Sequence, residues 1–341
     1  MNSKKTLAII CAVLAALTAV FGVLTVINLT GDKEPGKPSV KSNGYIITSA
    51  VEYDAPAAQL NGVVSNNMKA TASYPAGILE GLKQAYSINN DLVGWLSIPG
   101  TELDTAVLQG KDNSYYLKKD FYGRTTGETS QTNYGNIFLD YRCSNTDLSK
   151  NMVIHGHTTG RSDGVPKQAF RSLYDYRSKE TFIKSPIIRY STLYGEYTYK
   201  ICAVFLSTTQ RADDNGYLFN YIYPDMSDGN MAGYIEQVNQ RKLYDTGVSL
   251  EPTDKIITLS TCIYDYGKSV DTRLVVVGRL LHEGESEAID TSLVKDNPDY
   301  RRPQIWYNSK GKTNPYKDAA RWEPSPDRSK HEDRIYGKRK Q

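Results

Sequence analysis

Two runs of β-branched and aliphatic residues, Lys255-Ile-Ile-Thr-Leu-Ser-Thr-Cys262 and Arg273-Leu-Val-Val-Val-Gly278, constrain this chain more than any other feature. Their length and composition are those of buried strands. The residues between them, 263–272, include Tyr, Asp, Gly, Lys and Ser and read as a loop. If the two strands pair as antiparallel neighbours, Cys262 ends one and Arg273 begins the other, so a thiol and a guanidinium share one sheet edge. A nearby cation favours the thiolate, the nucleophilic form of cysteine. The same guanidinium can hydrogen-bond the oxyanion formed when a thiolate attacks a carbonyl. On these two residues alone, a half-buried strand-end cysteine beside an unrelated surface arginine remains an equal alternative.

A third segment shifts that balance. Asn151-Met-Val-Ile-His155-Gly-His157 is a short apolar strand running into a glycine turn, and it holds two of the four histidines in the chain. Cysteine, histidine and arginine at strand ends suit acyl transfer through a thioester. The thiolate attacks, an imidazolium protonates the leaving amine, and the arginine stabilises the tetrahedral oxygen. Alternate residues of a strand face the same way, so His155 and His157 could instead form half of a zinc site. No second ligand pair of recognisable spacing accompanies them, and His155 reads as a packing or supporting residue. The expected chemistry calls for no cofactor and no metal.

With these segments in view the chain resembles the sortases, membrane-anchored cysteine transpeptidases of Gram-positive bacteria, and most closely their class B branch. The resemblance extends through Val93-Gly-Trp-Leu-Ser-Ile-Pro-Gly-Thr101, Val107-Leu-Gln-Gly-Lys-Asp-Asn-Ser-Tyr-Tyr-Leu117 and Gly135-Asn-Ile-Phe-Leu-Asp-Tyr-Arg142, covering roughly residues 90 to 282. It implies an eight-stranded β-barrel, with Cys262 as nucleophile, His157 as general acid and base, and Arg273 as oxyanion or substrate stabiliser. It further implies that Asn113, Leu117 and Ser260 line a groove for a C-terminal sorting signal. The implied reaction is cleavage of a Thr–Gly bond and transfer of the acylated protein to an amine of a peptidoglycan precursor, or to a pilin lysine. The interval from Cys262 to Arg273 is one residue longer than in some class B members. A one-residue slip on a strand reverses the face of a side chain, so Arg279 is the out-of-register alternative unless the loop absorbs the extra residue.

The N-terminus leads to the same topology by a separate route. Lys4 and Lys5 precede an uncharged run from Leu7 to Leu29. A bilayer core of ~30 Å needs about 20 apolar residues in helix, and the run exceeds the apolar core of a cleavable signal peptide. The lysines place residues 1–29 as a signal-anchor with a cytoplasmic stub and everything beyond outside the cell, with a cleaved signal peptide as the alternative. Residues 30–75, rich in Gly, Pro, Ser, Asn and Ala, read as a linker. Residues 76–283 then form the catalytic domain. The net charge of +3 with 23% charged residues excludes a nucleic-acid-binding extreme.

Within that domain many short strands and few helices suggest a mainly β fold, a closed barrel with peripheral helices. A helix is expected over Ile78–Asn89 and another over Asn230–Lys242. The long stretch between Thr208 and Asp254 is expected, by resemblance, to wall the substrate groove. Cys202 reads as an inert buried thiol, and a Cys143–Cys202 disulfide stays open. Residues 284–341 show no amphipathic period, and 295–341 carry 13 Lys and Arg against 7 Asp and Glu. A disordered basic tail is expected there. Two other functions are compatible with parts of the sequence: a secreted cysteine peptidase that releases its product to water, and a non-catalytic wall-binding module on a membrane stalk.

Overall fold

The computed structural model describes residues 73–125, 135–157, 170–267 and 270–324. The expected signal-anchor and nearly all of the expected linker lie outside these residues. Among the described residues no helix is long and apolar enough to cross a membrane.

Eight strands close into a barrel: β1 (Leu92–Ser97), β2 (Asp104–Leu108), β3 (Phe138–Leu139), β4 (Asn151–Gly156), β5 (Ile187–Thr192), β6 (Glu196–Thr208), β8 (Ile256–Ile263) and β9 (Thr272–Leu280). Their order around the barrel is β1-β2-β3-β4-β8-β9-β6-β5. Most rungs are antiparallel, but β2 and β3 pair parallel at Leu108↔Phe138, and β4 and β8 run parallel from Asn151↔Ile256 to Gly156↔Thr261. The strands of the site are buried on both faces, so they read as continuous apolar runs and not as alternating ones. Val153, Ile201, Val204 and Leu274 belong to one continuous core.

Helix α1 (Lys83–Ile88) follows a 3-10 turn over Glu80–Leu82 and buries Ile78, Leu82 and Ala85 in a smaller cluster with Trp95 and Phe138. A longer 3-10 segment, Phe170–Arg177, leads into α2 (Lys179–Lys184). The long connection between β6 and β8 carries α3 (Asp228–Arg241) and the short β7 (Tyr244–Asp245). The Ser227 hydroxyl caps α3 by accepting from the Asn230 N–H at 3.2 Å. The helix presents Met231, Tyr234 and Val238 to the core.

The expectation of a disordered tail fails for residues 284–324. Lys295–Asp296 forms β10, paired with β7, and Gln304–Ser309 forms helix α4. Trp322 is only 7% exposed. Its ring lies 5.7 Å from Tyr234 and 5.8 Å from Phe219, and its Nε1–H donates to the Asn230 carbonyl at 2.8 Å. The extension is held by single anchors and main-chain bonds, such as Arg301 N–H to Gln240 O at 2.7 Å. A search for amphipathic periodicity is blind to that kind of docking. The final residues, 325–341, lie outside those described.

Candidate active site

Three adjacent strands, β4, β8 and β9, deliver the three residues singled out by the sequence. Cys262 pairs directly with Arg273 across the antiparallel β8–β9 ladder. Directly opposed residues of such a pair project to the same face, with Cβ atoms about 4.5–5.5 Å apart. On the other side of β8, the last parallel rung is Gly156↔Thr261, which brings His157 level with Cys262. Arg279 pairs with Ile256 at the far end of the same ladder and forms an ion pair with Glu285 at 2.6 Å. Cys262 faces Arg273 directly in spite of the longer interval, so Arg273 keeps the register.

Local sequence fixes each side chain. A Cβ on Gly156 would fall 2.5 Å from the Phe170 ring, so only glycine allows that ring to lie on the strand end before His157. The Phe170 N–H donates to the His157 carbonyl at 3.2 Å, which anchors the histidine backbone. Arg273 is held by the Asp271 carboxylate, and its Nη1 also donates to the Thr272 carbonyl at 3.2 Å. Asp271 in turn accepts from the Thr209 hydroxyl at 2.6 Å. Ser260, two residues before the cysteine and on its face, shares a 2.9 Å hydrogen bond with the buried Tyr221 hydroxyl. Tyr221 comes from the long β6–β8 connection, which thereby reaches the face of β8 that carries the thiol.

The charges at this edge are mutually dependent. Burial pushes the Cys262 thiol up; Arg273 pulls it down and Asp271 adds to the rise, for a net upward shift. Burial pushes His157 down, and the like charge of Arg273 pushes in the same direction. Burial opposes the Arg273 charge, but Cys262, Tyr221 and Asp271 more than offset it, so the guanidinium stays protonated. Tyr221 is raised to about 12, chiefly by burial. Both shifts favour the uncharged forms, a neutral thiol and a neutral imidazole. Cys262 is partly accessible, whereas Cys143 and Cys202 are fully buried, unpaired thiols. Burial pushes both of those far up as well, so neither competes as a nucleophile and the open disulfide is not formed.

His155 points elsewhere. Its Nε2 lies 3.0 Å from Asp140, a buried carboxylate that also accepts from Arg142 Nη2 at 2.7 Å and Asn113 Nδ2 at 2.7 Å. Burial opposes the Asp140 charge, and the bonds from Arg142 and His155 more than offset it, leaving the carboxyl well below its usual range. Asn113 thus spends its amide on Asp140 and on the Tyr141 N–H at 3.1 Å. Leu117, on the 3-10 turn Tyr115–Lys118, is 48% exposed. Among the groove candidates only Ser260 stands on the strand of the thiol. Thr209, Asp271 and Tyr221 were not anticipated. Asp271 had a usable signal, an acid two residues before Arg273 at a strand entry; Tyr221 had none, because 39 residues separate it from Ser260.

Similarity to known proteins follows the same boundaries. A sortase-domain family model matches residues 96–281. The sortase B of Listeria monocytogenes is 34% identical over 217 residues, which cover 62% of this chain and 78% of that protein. The sortase B of Staphylococcus aureus is 31% identical over 195 residues, covering 57% and 72%. Among solved structures, a Staphylococcus aureus sortase B–substrate complex superposes with a TM-score of 0.51 at 28% identity, over 61% of this chain and 87% of that one. A crystal structure of Staphylococcus aureus sortase B gives 0.51 at 29% identity, over 61% and 89%.

Proposed function

The chain belongs to the sortase family of cysteine transpeptidases, and we propose from this that it cleaves a Thr–Gly bond in the C-terminal sorting signal of a secreted protein and passes the new acyl end to an amine of a peptidoglycan precursor. The observation that carries the reading is the strand register: Cys262 opposite Arg273, with His157 level on the third strand. In this scheme the Cys262 thiolate adds to the threonine carbonyl, and Arg273 hydrogen-bonds the oxyanion. His157 gives its proton to the departing glycine amine as the tetrahedral intermediate collapses to a thioester. The incoming amine adds to the thioester carbonyl, loses a proton to His157 and expels the thiolate, which restores the starting state. Thr209 and Asp271 orient Arg273. Ser260 and Tyr221, with Asn113 and Leu117 further along, line the path of the peptide. The uncharged run of residues 7–29 anchors the chain as a single span, with the barrel outside the membrane.

The test is to incubate the chain with quenched peptides ending in Thr–Gly variants, with and without amine acceptors. An amine-ligated product that depends on Cys262 supports the transpeptidase and names its motif. Release of free acid alone, whatever acceptor is offered, would favour the peptidase. Ligation only to a lysine-bearing pilin peptide would shift the acceptor from wall precursor to pilus.

Two consequences concern pH and charge. The raised thiol and the lowered imidazole predict a flat-topped profile of kcat/KM. Its acid limb should fall below the usual imidazole value of about 6.5, and its alkaline limb above the usual thiol value of about 8.5. The ion-pair fraction is constant between the two macroscopic values and falls outside them. Limbs lying inside that interval would contradict the assignment of the pair. Asp271→Asn removes a negative charge beside the thiol, so the alkaline limb should move to lower pH. kcat should fall about tenfold as Arg273 loses its anchor. An unmoved limb would show that Asp271 does not act on the thiol.

Arg273→Met keeps the side-chain stem and deletes the donors. It should lower kcat by about 10²–10³-fold, the usual effect of losing one oxyanion donor, as measured by single-turnover acylation. Unchanged acylation would remove Arg273 from the mechanism.

A further inference from the structure

On the β6 side of Arg273, whose ladder partner is Ser207, two arginines lie buried where the C-terminal extension meets α3. Arg241, in the last turn of α3, is 4% exposed, and Arg301, from the extension, is 6% exposed. A guanidinium carries five N–H donors and no acceptor. Hydrogen bonds from Arg241 run only from Nη1 among the described residues, to the Gln237 carbonyl at 3.0 Å and to Gln237 Oε1 at 2.9 Å. Its remaining contacts are with aromatic rings, Phe219 at 4.7 Å and Tyr217 at 5.9 Å. No carboxylate lies within 4.0 Å of it among the described residues. Arg301 donates from Nη1 to Gln240 Oε1 at 3.0 Å, while its Nε is buried with no partner among those residues.

Among the described residues the carboxylate at hand is Asp214, which faces Arg301 at 3.9 Å and already accepts from the Gln304 N–H at 2.9 Å. One acid against two buried guanidiniums leaves an excess positive charge in a desolvated site, which is costly unless matched. Burial and the like charge of Arg301 both work against the Arg241 charge. Both arginines line a cavity of about 10 Å³, together with Ser207, Thr208, Asp214, Tyr217 and Phe219. That volume admits one small sphere. A water there would accept hydrogen bonds without supplying charge.

We propose that the cavity lined by Arg241 and Arg301 binds a single small monovalent anion, a halide such as chloride, which neutralises the two guanidiniums and ties the C-terminal extension to α3 and the groove wall. The unused donors of both arginines supply the hydrogen bonds. The site is structural, and its test uses no transfer activity.

The experiment is thermal unfolding of the full 341-residue chain as sodium gluconate is replaced stepwise by sodium chloride at constant ionic strength. Gluconate is too large to enter. Chloride should raise Tm saturably by about 2–4 °C, and bromide should do the same. Arg241→Met and Arg301→Met, which keep the stems and delete the charge, should each abolish the increment. Equal Tm in both salts, or an increment that survives in both variants, would overturn the proposal. Crystals of the unmodified chain grown in bromide give a second readout that does not depend on the variants folding. An anomalous peak in the cavity supports the site; its absence, or a water in its place, refutes it.

Discussion

Cys262→Ala is expected to reduce amine-ligated product by about 10⁴-fold or more, to the background without enzyme. Removing the nucleophile of a group that acts as a unit costs nearly the whole of catalysis. Cys143 and Cys202 cannot substitute, being fully buried with thiols pushed far upward. The fold should survive, because Cys262 is only partly buried at a strand end and its loss leaves little cavity. Tm should change by no more than about 4 °C. Intact-mass analysis adds a direct check: the unmodified chain should accumulate a thioester adduct when amine is withheld, and the variant should show none. Substantial ligation by a folded Ala variant would remove Cys262 from the reaction.

Trp322→Ala is expected to have the largest effect on stability, about 3–5 kcal/mol. At the usual conversion for a folded unit of this size, Tm falls by about 6–20 °C. The indole fills a pocket walled by Phe219, Tyr223 and Tyr234, and its backbone N–H also donates to the Tyr217 hydroxyl at 3.0 Å. Those tyrosines and Phe219 belong to the connection that also carries Tyr221 to Ser260. Loosening of the wall should therefore raise KM for a sorting peptide more than it lowers kcat. An unchanged Tm, measured by differential scanning calorimetry, would mean that the extension does not bear on the domain.

Much of the barrel was legible because its strands are continuous apolar runs separated by turn-rich segments. The ends of β8 and β9 were read to within two residues, and the Cys262–Arg273 pairing followed from their lengths and the loop between them. The placement of His157 needed the family resemblance, since nothing in the sequence says that β4 and β8 are parallel neighbours. The short β3 spans only Phe138–Leu139, too few residues to show a period, and Asp140 after it turns its carboxylate to Arg142 and His155. The pairing of β7 with β10 was invisible: two-residue strands have no period to detect. The extension was misread for a related reason. Its contacts are made by isolated residues such as Arg301, Tyr307 and Trp322 in a polar background, and average composition dilutes them.

The parallel rung between β4 and β8 bears on when the thiol becomes dangerous to its surroundings. Asn151 and Ile256 are 105 residues apart, yet they begin the ladder that brings His157 beside Cys262. Closing such a span is among the slower steps of folding, because the entropy of the loop is lost before the contacts form. Until then the chain holds an ordinary cysteine and a distant histidine, with no imidazole to protonate a leaving group and no aligned guanidinium. Reactivity is thus withheld from nascent and unfolded chains, which cannot acylate one another or their neighbours. Substitutions that slow closure of the barrel, wherever they lie, will be scored as losses of catalysis although every reacting group is intact.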